Sequence, residues 1–296
     1  MNQQYPLESI PVKLEEVIEN IQVSETKAGP GQPRRYSNSA LVRFHVYRFA
    51  KGGWSVRRMQ RELKRQPRLR RLLGMPSVPS LSTLSERSKY LPWQELWAQE
   101  AKRRIVVIDA TPLLSSTNDP DAKWGMGSND KWFYGYKLYL LLDADTGEVL
   151  GLALKTANCN ESPVGRELLK GLPKARGVAL ADAAYDAAAN FRTALVRGYH
   201  LLTSTNPRRG EAKEAPRQLN AQTMRRPEMK ALFKKRLDIE RVFGVCKDVL
   251  GLANLRVQGF AAVKRHVLAA VTAFSVLAQA LTAQECSVLQ VAQIAA

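Results

Sequence analysis

The sequence predicts an α/β protein, a mixed sheet flanked by helices and preceded by a small all-helical region rich in basic residues. Three observations predict it. Two short apolar runs, residues 105–108 and 178–181, each lead into an aspartate and read as buried strands. Between them lies a hairpin pattern, WFYGYKLYLLLDADTGEVLGLALKT, in which Asp145, Thr146 and Gly147 supply the turn. Residues 34–104 hold 18 Lys or Arg against 4 Glu, a difference of +14, in stretches with helical spacing.

The elements follow in order. Residues 1–33 carry two Lys against five Glu and end in a segment punctuated by Gly and Pro, a lead-in closed by a linker. Residues 40–51 read as a helix broken by Gly52 and Gly53. Ser55 caps a second helix, SVRRMQRELKRQPRLRRLL. Its apolar positions Val56, Met59 and Leu63 recur at helical spacing, and Arg57, Arg58, Arg61, Lys64 and Arg65 form a basic face. After Gly74, Pro76 and Pro79, Ser80 or Ser82 starts a third helix through LSTLSERSKYL. Three short helices with one basic face fit a helix-turn-helix bundle on DNA; a plain bundle with a solvated charged face has the same pattern. Residues 105–285 then read strand, loop, hairpin, a helix opened by Ser162 or Pro163, strand, helix at 191–197, strand at 199–203, and helices to the end. The uncharged run 267–283 is short for a membrane span and carries Thr272, Ser275, Gln279 and Thr282, so it reads as a core helix. Residues 286–296 form a tail.

Charge narrows the partners. Lys and Arg number 45 against 27 Asp and Glu, giving +18 and an isoelectric point near 10.0. A polyanion relieves such self-repulsion, so nucleic acid is the expected partner. RNA is suggested by charge alone, because no stacking-aromatic motif or clamp loop of the RNA-binding modules is present. Cys159, Cys246 and Cys286 are an odd, scattered set without a C-x-x-C pair, which argues against a disulfide framework and a structural zinc site. With no basic and apolar leader at the N-terminus, a reduced cytoplasmic protein is expected. No Walker loop or dinucleotide fingerprint is present, so ATP is not the expected energy source.

Phosphodiester chemistry needs an activated oxygen and stabilised charge on the phosphorus and leaving oxygens. Two divalent cations about 3.5–4 Å apart supply both, and hard cations require oxygen ligands. Asp109 and Asp182, each following an apolar strand, would share a crevice if those strands were neighbours. Either could equally begin a loop, and eight Asp residues lie between positions 109 and 186, so composition does not choose among them. In FKKRLDIERVFGVCK, residues Phe233, Arg236, Glu240 and Lys247 stand at offsets of −7, −4, 0 and +7, within one arc of an ideal helix. Taken alone, that pattern is also an ordinary Arg–Glu surface pair with a chance Lys. Trp124 and Trp132 flank a loop where an aromatic could stack on an extruded base, although packing is the commoner role. His45, His200 and His266 are isolated in sequence and read as structural or surface residues.

The chain resembles the DDE transposases of bacterial insertion sequences, in the group with a Tyr-x2-Arg-x3-Glu-x6-Lys motif. Arg236, Glu240 and Lys247 match the last three positions at the family spacing; the first is Phe233 and lacks the hydroxyl. The segments VVIDATPL, KWFYGYKLYLLLDADTG, ALADAAYD and IERVFGVCKDVLGL fit the same resemblance in the same order. The resemblance implies an RNase H-like catalytic domain with Asp109, Asp182 and Glu240 as catalytic residues and metal ligands. It implies two Mg²⁺ ions, with Mn²⁺ as a substitute. The implied partners are double-stranded DNA, both terminal inverted repeats and target, and a second copy of the chain in the DNA complex, with no membrane. Arg236 and Lys247 are expected to position DNA, since cations on the Glu240 face repel metal and attract phosphate. A nuclease of the same fold that cuts without joining, and a DNA-binding protein with an inactive catalytic domain, are the competing readings.

Overall fold

The structure, a computed structural model, describes residues 12–25, 34–98, 104–127 and 131–295; the expected linker at 26–33 lies outside them. Five helices come first: α1 (Leu14–Glu19), α2 (Asn38–Ala50), α3 (Val56–Arg65), α4 (Pro67–Leu72) and α5 (Leu81–Arg87). The strands are β1 (Ile105–Leu114), β2 (Lys123–Met126), β3 (Trp132–Asp143), β4 (Val149–Thr156), β5 (Gly177–Ala181) and β6 (Tyr199–Thr203). Helix α6 (Glu161–Gly171) joins β4 to β5, and α7 (Ala188–Val196) joins β5 to β6. Helices α8 (Ala215–Thr223), α9 (Pro227–Phe233), α10 (Asp238–Gly244), α11 (Phe260–Ala283) and α12 (Val291–Ala295) complete the chain.

The expected mixed sheet is present. Its order is β2-β3-β1-β5-β6, with β4 also on β3. The β1–β3, β2–β3 and β3–β4 pairs are antiparallel; β1–β5 and β5–β6 are parallel. Alternate residues of β1 and β3 face opposite sides. Val106, Ile108, Tyr139 and Leu141 pack on α6 and α7, while Val107, Leu138, Leu140 and Leu142 join a larger core with α2, α10 and α11. The N-terminal helices therefore share an apolar core with the sheet. Helix α11 is long and apolar enough to cross a membrane by length and composition, but most of it is buried in that core. Trp97 fastens it by donating from Nε1 to Thr272 Oγ1 at 3.0 Å.

Several boundaries differ from the sequence reading for local reasons. The helix expected from Ser55 divides into α3 and α4 at Gln66, which precedes Pro67 and adopts φ −120° and ψ 89°. A residue before proline is pushed out of the helical region. Ser55 and Ser80 cap α3 and α5 as expected, accepting from Arg58 N and Thr83 N. Helix α6 is capped by Asn160, ahead of both expected starters, Ser162 and Pro163. Strand β1 does not stop at Asp109 but runs on to Leu114, antiparallel to β3. Strand β5 ends at Ala181 opposite Ile108, so beyond Asp109 one edge of β1 is free of β5 and tolerates Pro112. Strand β2, read as loop from the sequence, is a short exposed strand.

The helix expected across residues 233–247 is segmented. A 3-10 turn, Lys234–Leu237, precedes α10, and a π turn, Val245–Val249, follows it. Ideal-helix arithmetic fails here, because the rotation per residue changes on both sides of Glu240.

Asp186 shows how the segment after β5 is anchored. It is buried and pairs with Arg217 at 2.9 Å, while also accepting from Asn206 N. Asp186→Asn should leave the Arg217 charge buried without a counter-ion, costing about 3 kcal/mol. For a chain of this size that is a fall in melting temperature of about 6–12 °C. Thermal denaturation checks it; an unchanged midpoint would remove the ion pair from the account.

Candidate active site: a carboxylate cleft at the ends of two parallel strands

The register Ile108 to Ala181 sets the next residues, Asp109 and Asp182, side by side where β5 ends. Carboxyl ends of parallel strands are where open sheets form ligand crevices. A cleft of about 560 Å³ opens there, lined by Asp109, Asp182, Glu161, Lys137, Arg236, Glu240 and Lys247 among others. The structure thus brings Asp109, Asp182, Glu240, Arg236 and Lys247 together despite the broken helix. Phe233 does not line the cleft; its ring lies 5.9 Å from the Arg236 guanidinium.

The other aspartates have different work. Asp119 accepts from Ser115 and Tyr136 hydroxyls and from Gly259 N, and Asp121 accepts from Phe260 N, so both hold the start of α11. Asp143 accepts from Asp145 N and Thr146 N and closes the hairpin turn. Asp145 pairs with Lys235, and Asp186 pairs with Arg217. Asp130 lies outside the described residues. Of the aspartates described in this stretch, Asp109 and Asp182 alone line the cleft.

The electrostatics of the cleft are strained. Burial, reinforced by the Asp182 charge, pushes the Asp109 carboxyl up to about 7, against its bond from Ala110 N and the charge of Arg236. Burial first and the Glu161 charge second also raise Asp182. Arg236 Nη1 donates to Asp109 Oδ2 at 3.0 Å, and Nη2 stands 4.0 Å from Glu240 Oε1. Arg236 therefore sits against the carboxylates, with its side chain 18% exposed, whereas the Glu240 side chain is 62% exposed. Lys247 is half-buried, and burial lowers its pKa.

Sequence reasoning missed Glu161 and Lys137. Lys137 donates to Glu161 Oε1 at 2.8 Å across the cleft wall. Lys137 falls in the middle of the apolar pattern of β3, and a lysine in a buried strand calls for a charged partner. Glu161 begins α6 and carries no such signal. Below the cleft the hydroxyls of Tyr139 and Tyr185 are buried without hydrogen-bond partners among the described residues. Gly165 on α6 accommodates Tyr185, since a Cβ there would stand 2.2 Å from its ring. Trp124 and Trp132 are not packed inside: they are 57% and 63% exposed on the β2–β3 hairpin, beside the cleft-lining Met126 and Gly127. Arg57, Arg58, Arg61, Lys64 and Arg65 lie on α3 and none lines the cleft. Their side chains reach solvent, and Arg58 covers the Trp54 ring at 4.2 Å.

Among the described residues no three His, Cys, Asp or Glu side chains are grouped tightly enough to hold an ion. The donor chemistry still suits a hard divalent cation, because the acidic groups in the cleft are all carboxylates. One oxygen of this set, Asp109 Oδ2, accepts from Arg236.

A raised Asp109 pKa has a definite consequence for stability. The folded chain holds that proton more tightly than the unfolded chain, whose value is near 3.8. Between about pH 4 and 7 the folded state binds more protons, so this group makes stability fall as pH rises. In metal-free buffer Asp109→Asn should be more stable than the native chain at pH 8, by at most about 4 kcal/mol for a rise from 3.8 to about 7, with the difference shrinking towards pH 4. Urea denaturation at both pH values measures it, and a variant less stable at pH 8 would contradict the assigned environment.

Residues 100–276 match the family described as the transposase DDE domain, a span that contains every cleft residue named above. No curated protein matches the sequence. Among solved structures, the chain is similar to a piggyBac transposase, determined by cryo-EM in a synaptic complex with hairpin DNA. That similarity has 11% sequence identity and a TM-score of 0.49, over 95% of this chain and 73% of the other. The chain belongs to the transposase DDE-domain family.

Proposed function

We propose that this transposase is an insertion-sequence enzyme with an RNase H-like catalytic domain. It cuts DNA at the element ends and transfers the new 3′ ends into target DNA. The observation that carries the reading is the side-by-side placement of Asp109 and Asp182 in a cleft also lined by Glu240 and Lys247. The strand order, with β1 antiparallel to β3 and parallel to β5, supports the fold assignment.

In this reading Asp109, Asp182 and Glu240 hold two Mg²⁺ ions, which Mn²⁺ can replace, and Glu161 is a fourth carboxylate within reach. The ions supply positive charge that activates the attacking oxygen and stabilises the leaving oxygen. The protein's own groups prepare the cleft. Arg236 offsets part of the Asp109 charge. Lys137 holds Glu161 against the wall and offsets its charge. Lys247, part-desolvated, offers a cation to a DNA phosphate. Residues 34–104 are assigned to DNA binding and 105–285 to catalysis, built on one continuous apolar core. Pairing two element ends calls for two copies of the chain on DNA, in a bacterial cytoplasm.

Single-turnover cleavage of a duplex carrying the flanking terminal repeat tests the assignment, with Mg²⁺ or Mn²⁺ present. Asp109→Asn, Asp182→Asn and Glu240→Gln should each keep DNA binding and lose cleavage by about 10²- to 10³-fold, since metal activation contributes several kcal/mol. Lys247→Ala should weaken end binding by about tenfold, the scale of one charge-assisted hydrogen bond. Near-native cleavage by any of the three carboxylate variants would take that residue out of the site. Cut but never joined products would identify a nuclease.

A further inference from the structure

A second pocket, of about 560 Å³, lies away from the carboxylates, between α2, the start of α3, α5 and the first turns of α11. Its ionisable lining is His45, Arg48, Arg57, Arg256, Arg265 and His266, and it contains no Asp or Glu. Two of the three histidines that are isolated in sequence, His45 and His266, thus meet here, around Arg48. Among the described residues none of the four arginines forms an ion pair. A cluster of like charges without counter-ions is unfavourable on its own, and it is most so for Arg48, which is only 6% exposed.

The hydrogen bonds show what is missing. Arg48 Nε donates to His45 Nδ1 at 3.1 Å, and Nη1 donates to the Trp54 carbonyl at 2.8 Å. Nη2 has no acceptor among the described residues. Because His45 Nδ1 accepts, the ring proton belongs on Nε2. That Nε2 is buried with no partner among the described residues, in a residue 5% exposed. A buried donor left unpaired is unfavourable, and an oxyanion in the pocket would satisfy it. Ser55, Val56 and Arg57 bring the first turn of the ten-residue helix α3 to the same wall. Helix N-termini favour anions, and arginine forks match phosphate oxygens.

We propose that this pocket grips a backbone phosphate of duplex DNA, as a second anchoring site separate from the carboxylate cleft. The inference rests on the reading of the chain as a DNA-processing enzyme. The pocket is joined to the catalytic side of the molecule. Gly53 lies so close to Gly251 that a Cβ at Gly53 would stand 3.1 Å from the Gly251 Cα. Gly251 follows the π turn that carries Lys247. One bound phosphate would therefore fix the N-terminal helices against the segment that supplies the cleft with its lysine.

The test uses the full chain and a fluorescent 30-base-pair duplex, with affinity measured across a salt series. Arg256→Gln with Arg265→Gln should lower the slope of log affinity against log salt by about 1–2. It should also weaken binding at about 0.1 M salt by about 10- to 100-fold. Lys170→Gln with Arg192→Gln, the same loss of charge on α6 and α7, should change either quantity much less. Equal effects from both pairs, or none from the first, would overturn the pocket as a DNA site. So would a native melting temperature raised by millimolar inorganic phosphate with the duplex slope unchanged in the first pair, which identifies a free-phosphate site. A native chain that binds no duplex would fail the DNA-processing reading itself, whereas a failure confined to the variants fails this inference alone.

Discussion

Two carboxylates on adjacent strand ends, mostly out of water, repel one another, and the surrounding structure is arranged around that repulsion. Asp109 and Asp182 are neighbours because β1 and β5 are parallel and in register up to Ile108 and Ala181. Burial raises both acids, and Asp182 adds to the effect on Asp109. A solvated Asp would gain nothing from such a place, so the position is costly for the fold and informative about function. Arg236 answers part of the charge on one side, and Lys137 holds the charge of Glu161 on the other.

The scaffold sets these groups rigidly. Below the cleft, α6 lies close on Tyr185, where Gly165 leaves room for the ring. On the opposite sheet face, α11 is pinned at its start by Asp119 and Asp121 and along its length by Thr272 and Trp97. The segmented α9–α10 stretch is the exception. It presents Arg236, Glu240 and Lys247 from a 3-10 turn, a helix and a π turn in succession. Glu240, with most of its side chain in solvent, is more exposed than Asp109 or Glu161. An element with such changes of pitch can shift a side chain without moving the core beneath it.

Much of this was legible in the sequence because the strands carry period-two or continuous apolar patterns. Residues 199–203 were marked by their composition and form β6 over the same span. The turn at 145–147, the cap Ser55 and the choice of Ser80 or Ser82 for α5 were legible for the same reason, since turn and cap chemistry is local; the structure selects Ser80. The length of β1 was not, because its second half is stabilised by pairing with β3 and contains Pro112 and Thr111, which read as loop. The break at Gln66 is marked only by Pro67, and the basic run continues through it on both sides. At the site, the sequence offered eight aspartates and could separate them only by resemblance. The structure separates them by partners: a hairpin cap, two anchors of α11 and two ion pairs account for five. Glu161 had no local signature, because its meaning comes from Lys137 on another strand. The clustering of His45 and His266 around Arg48 depends on α2 meeting α11, a contact no local pattern encodes.

In the proposed function Asp109 and Asp182 are kept together for a divalent cation. Direct binding of Mn²⁺ to the full chain, followed by electron paramagnetic resonance without DNA, tests it without reference to any reaction. The native chain should remove Mn²⁺ from the free aqueous signal in a saturable way. The Asp109→Asn, Asp182→Asn double variant should leave that signal unchanged while retaining its far-ultraviolet circular dichroism. Saturable binding of equal strength in the folded double variant, or no binding by the native chain, would contradict the account.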